Sequence, residues 1–375
     1  MNRLVAFFLI SLLVCLGVCV VAAEEGELDA RIRVGVIVPF TGELSPFGEA
    51  LRQGIELAQG EGHTQALTFF LEDDRSGNRA MTVGALQRLI EREHIQALIV
   101  TAITNLIPID QIVRREGILA LSAIDSNKMI ESLAPSSFGY GWSNELTGEE
   151  MGRFACETIK ARTIAVVVGH DEWSELMAAA FSKAFRACGG QITNQESVDL
   201  SATDFRSLSA RISRMHPEGV YLPLYGPALV PFVRQLKQAG YRGTLLSAEG
   251  ITQGEVRQLG ELAEGMYVTS AHLSDASFEE RYRTRFKLSH VELNLAHVAL
   301  GYEIARFLDL CVRQLRERKL QPTNPNLLTV FRSLEHSDIF GPVSFRAGKS
   351  LSRGQVVLAV KGGRLVPLRD LPPSE

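Results

Sequence analysis

IRVGVIVPFTGELSPFGEALRQGIELA, residues 32–58, decides the fold. Its opening run is β-branched and apolar, the signature of a strand covered on both faces. A glycine-broken loop follows, and then Leu51, Gly54, Ile55 and Ala58 recur at i, i+3, i+4 and i+7, one buried stripe of a helix. A strand-to-helix loop of this kind is a common phosphate site, because free N–H groups at a helix N-terminus attract anions. The spacing excludes it here. Gly42, Gly48 and Gly54 are six apart and match neither GxGxxG nor GxxxxGK[ST]. Thr41, Glu43, Ser45 and Phe47 offer hydroxyls, a carboxylate and an aromatic face, which suit a small polar organic ligand.

Outward from this unit the alternation continues: LTFFLED, then MTVGALQRLIERE; QALIVTA, then IPIDQIVRRE; then ILALSA. It pauses at SLAPSSFGYGWSNELTG and restarts at TIAVVVGH, followed by ELMAAAFSKAFRA, QITNQESV, FRSLSARIS, GVYLPLYG, ALVPFVRQLKQAG, TLLSAEG and MYVTSA. Two βα series predict an α/β protein of two similar, doubly wound parallel-sheet lobes. Long helices come after Ser270, and Gly362-Gly363 in the tail reads as a hairpin turn. A strand-rich tail after helices implies that the chain crosses between lobes more than once. Ligands of such sheets sit at the carboxyl ends of strands. The candidate loops are therefore 40–48, 101–105, 122–127, 170–173, 225–227 and 247–250, facing one another across a cleft.

The chain has 375 residues and a formal net charge of -4. Acids and bases are mixed along it, and nothing resembles a nucleic-acid footprint. Residues 1–23 have the anatomy of a signal peptide: Arg3, an apolar run from Leu4 to Val21, and Ala22-Ala23 at the expected cleavage point. The run also has the length of a membrane anchor, about 20 residues. Cys15 and Cys19 each follow a valine, which argues against lipidation. Beyond the signal lie Cys156, Cys188 and Cys311, an odd number without metal spacing. A Cys156–Cys188 disulfide would suit an oxidising compartment, but both lie on apolar helical stretches, and buried free thiols are the expectation. Asp73-Asp74 is the one tight acidic pair placed to hold a metal, but it offers too few ligands for a divalent ion and is expected as a solvated turn with helix capping. His290 and His297, seven apart, are expected in packing. GHDEWSEL holds Ser, His and Asp without a GxSxG elbow. No enzyme, metal or cofactor is expected.

Together, IRVGVIVPFTGELSPFGEALRQGIELA, LEDDRSGNRA, EGILALSAIDS, DEWSELMAAAFSKAFRACGGQI, TDFRSL, VYLPLYGPALVPFVRQLKQAGY, SAEG with AEGMYVTSA, and FGPVSF make the chain resemble the type I periplasmic substrate-binding proteins of the branched-chain amino acid or amide group, which serve ABC importers. The resemblance spans residues 31–368. It implies two lobes joined by a three-crossover hinge that close around a ligand: residues 31–142 plus 271–339, and 143–270 plus 340–368. It places Glu249 against a ligand ammonium and Ser126, with Thr104 nearby, against a carboxylate. Phe47, Trp173 and Tyr225 would line the cleft from both lobes. Departures from the pattern are Asn105 in the second loop and Asp125, an acid beside Ser126 that favours a cationic or amide ligand if it faces the cleft. The implied function is capture of a small polar solute, an amino acid first, by a monomeric periplasmic protein that delivers it to an ABC permease. The alternative is a sensor that presents an amide, urea or another small solute to a membrane receptor or kinase.

Overall fold

The computed structural model describes residues 31–351 and 353–368. The expected signal peptide, residues 1–23, lies outside the described residues. Among them, no helix is long and apolar enough to cross a membrane.

The first βα series runs β1 (Ile32–Val38), α1 (Ser45–Gly60), β2 (Leu67–Asp73), α2 (Arg79–Glu93), β3 (Ala97–Val100), α3 (Ile103–Leu106), α4 (Asp110–Glu116), β4 (Leu119–Ser122), β5 (Asp125–Ser126), β6 (Ser137–Gly139) and β7 (Trp142–Ser143). Its sheet has the order β2-β1-β3-β4-β6, all parallel. The second runs α5 (Asn144–Glu157), β8 (Thr163–Gly169), α6 (Glu172–Ala187), β9 (Gln191–Val198), α7 (Arg206–Met215), β10 (Gly219–Leu222), α8 (Leu229–Gln238), β11 (Thr244–Ser247), α9 (Gln253–Leu259) and β12 (Tyr267–Ala271). The rest is α10 (Phe278–Phe286), α11 (Leu295–Glu317), α12 (Asn324–Ser333), β13 (Glu335–Asp338), β14 (Gly341–Ser344), β15 (Gln355–Lys361) and β16 (Arg364–Pro367). The second sheet is β16-β15-β12-β11-β10-β8-β9, parallel except for the antiparallel β15 and β16.

The strands are apolar on both faces because each sheet feeds two cores. In β1, Val34, Val36 and Val38 enter one core while Ile37 enters the other. In β3, Ala97 and Ile99 part from Leu98 and Val100 in the same way. The second lobe repeats the division, with Ala165 and Val167 on one side of β8 and Ile164, Val166 and Val168 on the other. Period-2 alternation thus sorts apolar residues between two helix layers rather than between core and water.

The α1 stripe packs on α11 at very close range. A Cβ on Gly54 would overlap the Val298 carbonyl oxygen, and one on Gly301 would overlap that of Leu51. Only glycine permits this approach.

The chain leaves the first lobe after β7, returns after β12, and crosses a third time in the tail. This last crossing corrects the sequence reading. Residues 340–351, expected in the second lobe, stay in the first: β14 pairs with β13, and Phe340, Val343, Phe345 and Leu351 enter the core that holds Phe307 and Phe331. Aromatic packing decides it, with Phe345 stacked on Phe331 at 4.7 Å. The chain then enters β15. Gly362 and Gly363 both have positive φ and join Lys361 to Arg364 in the expected hairpin.

Arg353 anchors this crossing. Its Nη2 meets Glu303 Oε1 at 2.6 Å with both side chains essentially buried. Glu303 also accepts from Tyr140 Oη and the Phe340 N–H, so one carboxylate ties α11, β14 and the tail together.

A second correction concerns the cysteines. Cys156 and Cys188 form a disulfide, and only Cys311 is a free, buried thiol among the described residues. Packing of α5 along α6 brings the two Cα atoms within 6.5 Å, inside bonding reach.

Candidate functional site

A cavity of about 290 Å³ lies between the lobes, at the carboxyl ends of the strands. Six of the segments that form its wall carry residues named from the sequence. Phe47 comes from the start of α1, Thr104 and Asn105 from α3 just after β3, and Asp125 from the short β5. Trp173 comes from the first turn of α6, Tyr225 from the loop after β10, and Glu249 from the loop after β11.

Seven of the eight residues named from the sequence line this cavity. Ser126 does not. It pairs with Ser143 in the short β5–β7 ladder, where successive side chains point to opposite faces. Asp125 therefore faces the cavity, while Ser126 turns into the lobe and donates to or accepts from Ser350 Oγ at 2.5 Å. The expected hydroxyl for a ligand carboxylate is thus used inside the protein.

Asp125 is itself engaged. Its Oδ1 accepts from the Ile103 N–H at 2.9 Å and from Ser122 Oγ at 2.6 Å. Burial raises its pKa, opposed by these hydrogen bonds. Asn105 is braced as well, since it caps α3 through the Ala102 N–H and donates to Asp74 Oδ2 at 2.8 Å. Thr104 is exposed in the cavity wall.

The acidic turn differs from its expected form. Asp73 holds the first loop by accepting from the Phe40 N–H and Thr41 Oγ, whereas Asp74 is fully buried and accepts from the Gly77 N–H. The cap of α2 is Asn78. No group of three potential metal ligands occurs among the described residues.

Glu249 is almost completely buried, 3% exposed. Its Oε1 accepts from Trp173 Nε1 at 3.3 Å, and its Oε2 has no partner. Burial pushes its pKa up to about 7, against the pull of the Trp142 and Trp173 indoles. Trp142 Nε1 nevertheless falls outside hydrogen-bond geometry and has no partner of its own. The loop is fixed from the other lobe, because Asn294, the cap of α11, donates to the Glu249 carbonyl at 2.6 Å.

The sequence reading did not assign His297 to the site. It stacks on Trp142 at 5.5 Å and meets Phe47 at 5.2 Å, and burial lowers its pKa to about 3, leaving it neutral. His290 is exposed in the loop before α11, beside Glu292, so the two histidines share no helix face. Asp74, Asp171 and Glu172 also line the cavity. Among the described residues the wall therefore carries five carboxyl groups, with Asp125 and Glu249, and no lysine or arginine.

A family model described as periplasmic binding protein matches residues 31–364. Among curated proteins, the chain is 23% identical over 254 residues to the leucine-, isoleucine-, valine-, threonine-, and alanine-binding protein of Pseudomonas aeruginosa, covering 64% of this chain and 66% of that protein. It is 21% identical to the leucine-specific-binding protein of Salmonella typhimurium, covering 68% and 70%. The first match thus spans about two thirds of its relative's length. Among solved structures, a leucine binding protein from Thermotoga maritima superposes with a TM-score of 0.79 at 21% identity, over 90% of this chain and 97% of that one. An R. palustris ABC transporter solute binding protein in complex with benzoate gives 0.78 at 20%, over 90% and 96%. All four are named as binding proteins and none as an enzyme.

Proposed function

This chain belongs to the periplasmic binding protein family, in the type I branched-chain amino acid group, and on that premise we propose that it captures a small solute outside the cytoplasm for an ABC importer. Export through residues 1–23 and delivery to a membrane permease belong to this reading. The observation that carries it is Glu249, a buried carboxylate with one unpaired oxygen in a cavity between two lobes. A desolvated charge needs a partner, and a protonated amine on the solute supplies one. Phe47, Thr104, Asn105 and Asp125 form the first lobe's half of the site, and Trp173, Tyr225 and Glu249 close over it from the second. The amino acid expected from the sequence meets this site through its ammonium.

A thermal-shift panel of amino acids, amines, amides, urea and aromatic acids tests the reading. At a hundredfold excess over Kd, binding to the native state alone adds about 2.7 kcal/mol of stability. A saturable shift with one class supports solute capture. Silence across the panel, repeated by calorimetry, overturns it.

A further inference from the structure

We infer that the solute is a small organic cation without a carboxylate group. The inference rests on the reading of the chain as a solute-binding protein and concerns which half of an amino acid the cavity accepts. Its first support is the unpaired Glu249 Oε2, on a side chain 97% buried, at the cavity wall. The second is the place a ligand carboxylate would take. The hydroxyl expected there, on Ser126, is turned into the lobe against Ser350. The Ile103 N–H is already taken, because Asp125 Oδ1 accepts from it at 2.9 Å. The protein's own carboxyl group thus uses a donor at the cavity wall that a solute carboxylate would need.

Electrostatics point the same way. Among the described residues the cavity wall contains no lysine or arginine, and its one imidazole, His297, is neutral. Asp125 and Glu249 are close enough for the charge of the first to disfavour ionisation of the second, after the larger effect of burial. A cation between them relieves that repulsion, whereas a carboxylate adds to it. The rings of Phe47, Trp173 and Tyr225 complete the wall, and aromatic faces attract organic cations. An aromatic acid such as benzoate finds no basic partner here.

Matched pairs that differ by the carboxylate alone test this: leucine against 3-methylbutylamine, and lysine against 1,5-diaminopentane, with benzoate as the anion. Calorimetry on the purified protein should give the amine of at least one pair a Kd more than tenfold below that of its amino acid, with benzoate silent. An amino acid that binds as tightly as its amine overturns the inference and leaves solute capture standing. Silence with these five while another class binds in the wider panel also overturns it alone, and silence throughout overturns both readings. Asp125→Asn keeps an acceptor for the Ile103 N–H and removes the charge, so the amine to amino acid preference should fall at least threefold. An unchanged preference rules out Asp125 as the group that rejects the carboxylate.

Discussion

The Phe47 ring of the first lobe meets the Tyr225 ring of the second edge-on, with centroids 5.9 Å apart and planes at 84°. Tyr225 in turn meets Trp173 at 5.4 Å, so an aromatic chain runs across the cleft. Such pairs contribute about 0.5–1.5 kcal/mol beyond area burial. Phe47→Ala removes a contact made when the lobes are together, and solute affinity should weaken roughly twofold to tenfold. Titration calorimetry reads this, and wild-type affinity would show that the contact does not stabilise closure.

Glu249→Ala should weaken an amine-bearing solute by about 2–5 kcal/mol, the range for removing one partner of a buried charge pair. The empty protein should lose little stability, because the substitution deletes an orphaned buried oxygen together with the long 3.3 Å contact from Trp173. Calorimetry and urea unfolding check the two halves separately. Unchanged affinity would remove Glu249 from the site.

The same residue sets a pH dependence. Burial raises its pKa from the ordinary glutamate range to about 7, so between these limits the folded, empty protein holds a proton that the unfolded chain has released. Its contribution to stability therefore falls as pH rises through that window. Cation binding needs the ionised form, so affinity should drop about tenfold per unit below pH 7 and level off above it. Glu249→Gln should flatten the curve. A wild-type profile flat from pH 5 to 8 contradicts the assignment.

The Arg353–Glu303 pair sits where the tail crosses to the second sheet. Glu303→Ala strands a buried guanidinium and should lower unfolding free energy by about 3–5 kcal/mol. Urea unfolding measures it, and a loss under about 1 kcal/mol would mean that water reaches Arg353.

Gly54→Ala places a methyl against the Val298 carbonyl. Overpacking of this kind costs about 1–3 kcal/mol. Because Phe47 and His297 stand at the starts of these two helices, solute affinity should fall along with Tm. Thermal unfolding with and without solute reports both, and an unchanged pair of values would show that the helices separate freely.

The architecture was legible because its signal is repeated. Most strands of the two series are apolar runs, the first helix shows one buried stripe, and Gly362-Gly363 announced a turn through local chemistry alone. The cavity wall was legible for a similar reason, since strand ends converge wherever the sheets are parallel. What failed needed a direction or a distant partner. The β5–β7 ladder, two residues long, decides whether Asp125 or Ser126 faces the cleft, and no periodicity can be read from two residues. His297 has no mark on its sequence neighbours, for its role comes from Phe47 and Trp142, far away along the chain. The cysteines misled because helical, apolar surroundings describe a half-buried disulfide as well as a thiol. Phe340 to Phe345 read as the end of the second lobe until aromatic packing placed them in the first.

The disulfide has a further consequence. Cys156 and Cys188 both belong to the second lobe, and the three strands of backbone between lobes carry no covalent cross-link among the described residues. A reductant therefore acts as a lobe-selective reagent. It loosens the α5–α6 side while leaving the first lobe's covalent structure and the crossovers untouched, so one sample measured before and after reduction separates the two lobes' melting without any mutation.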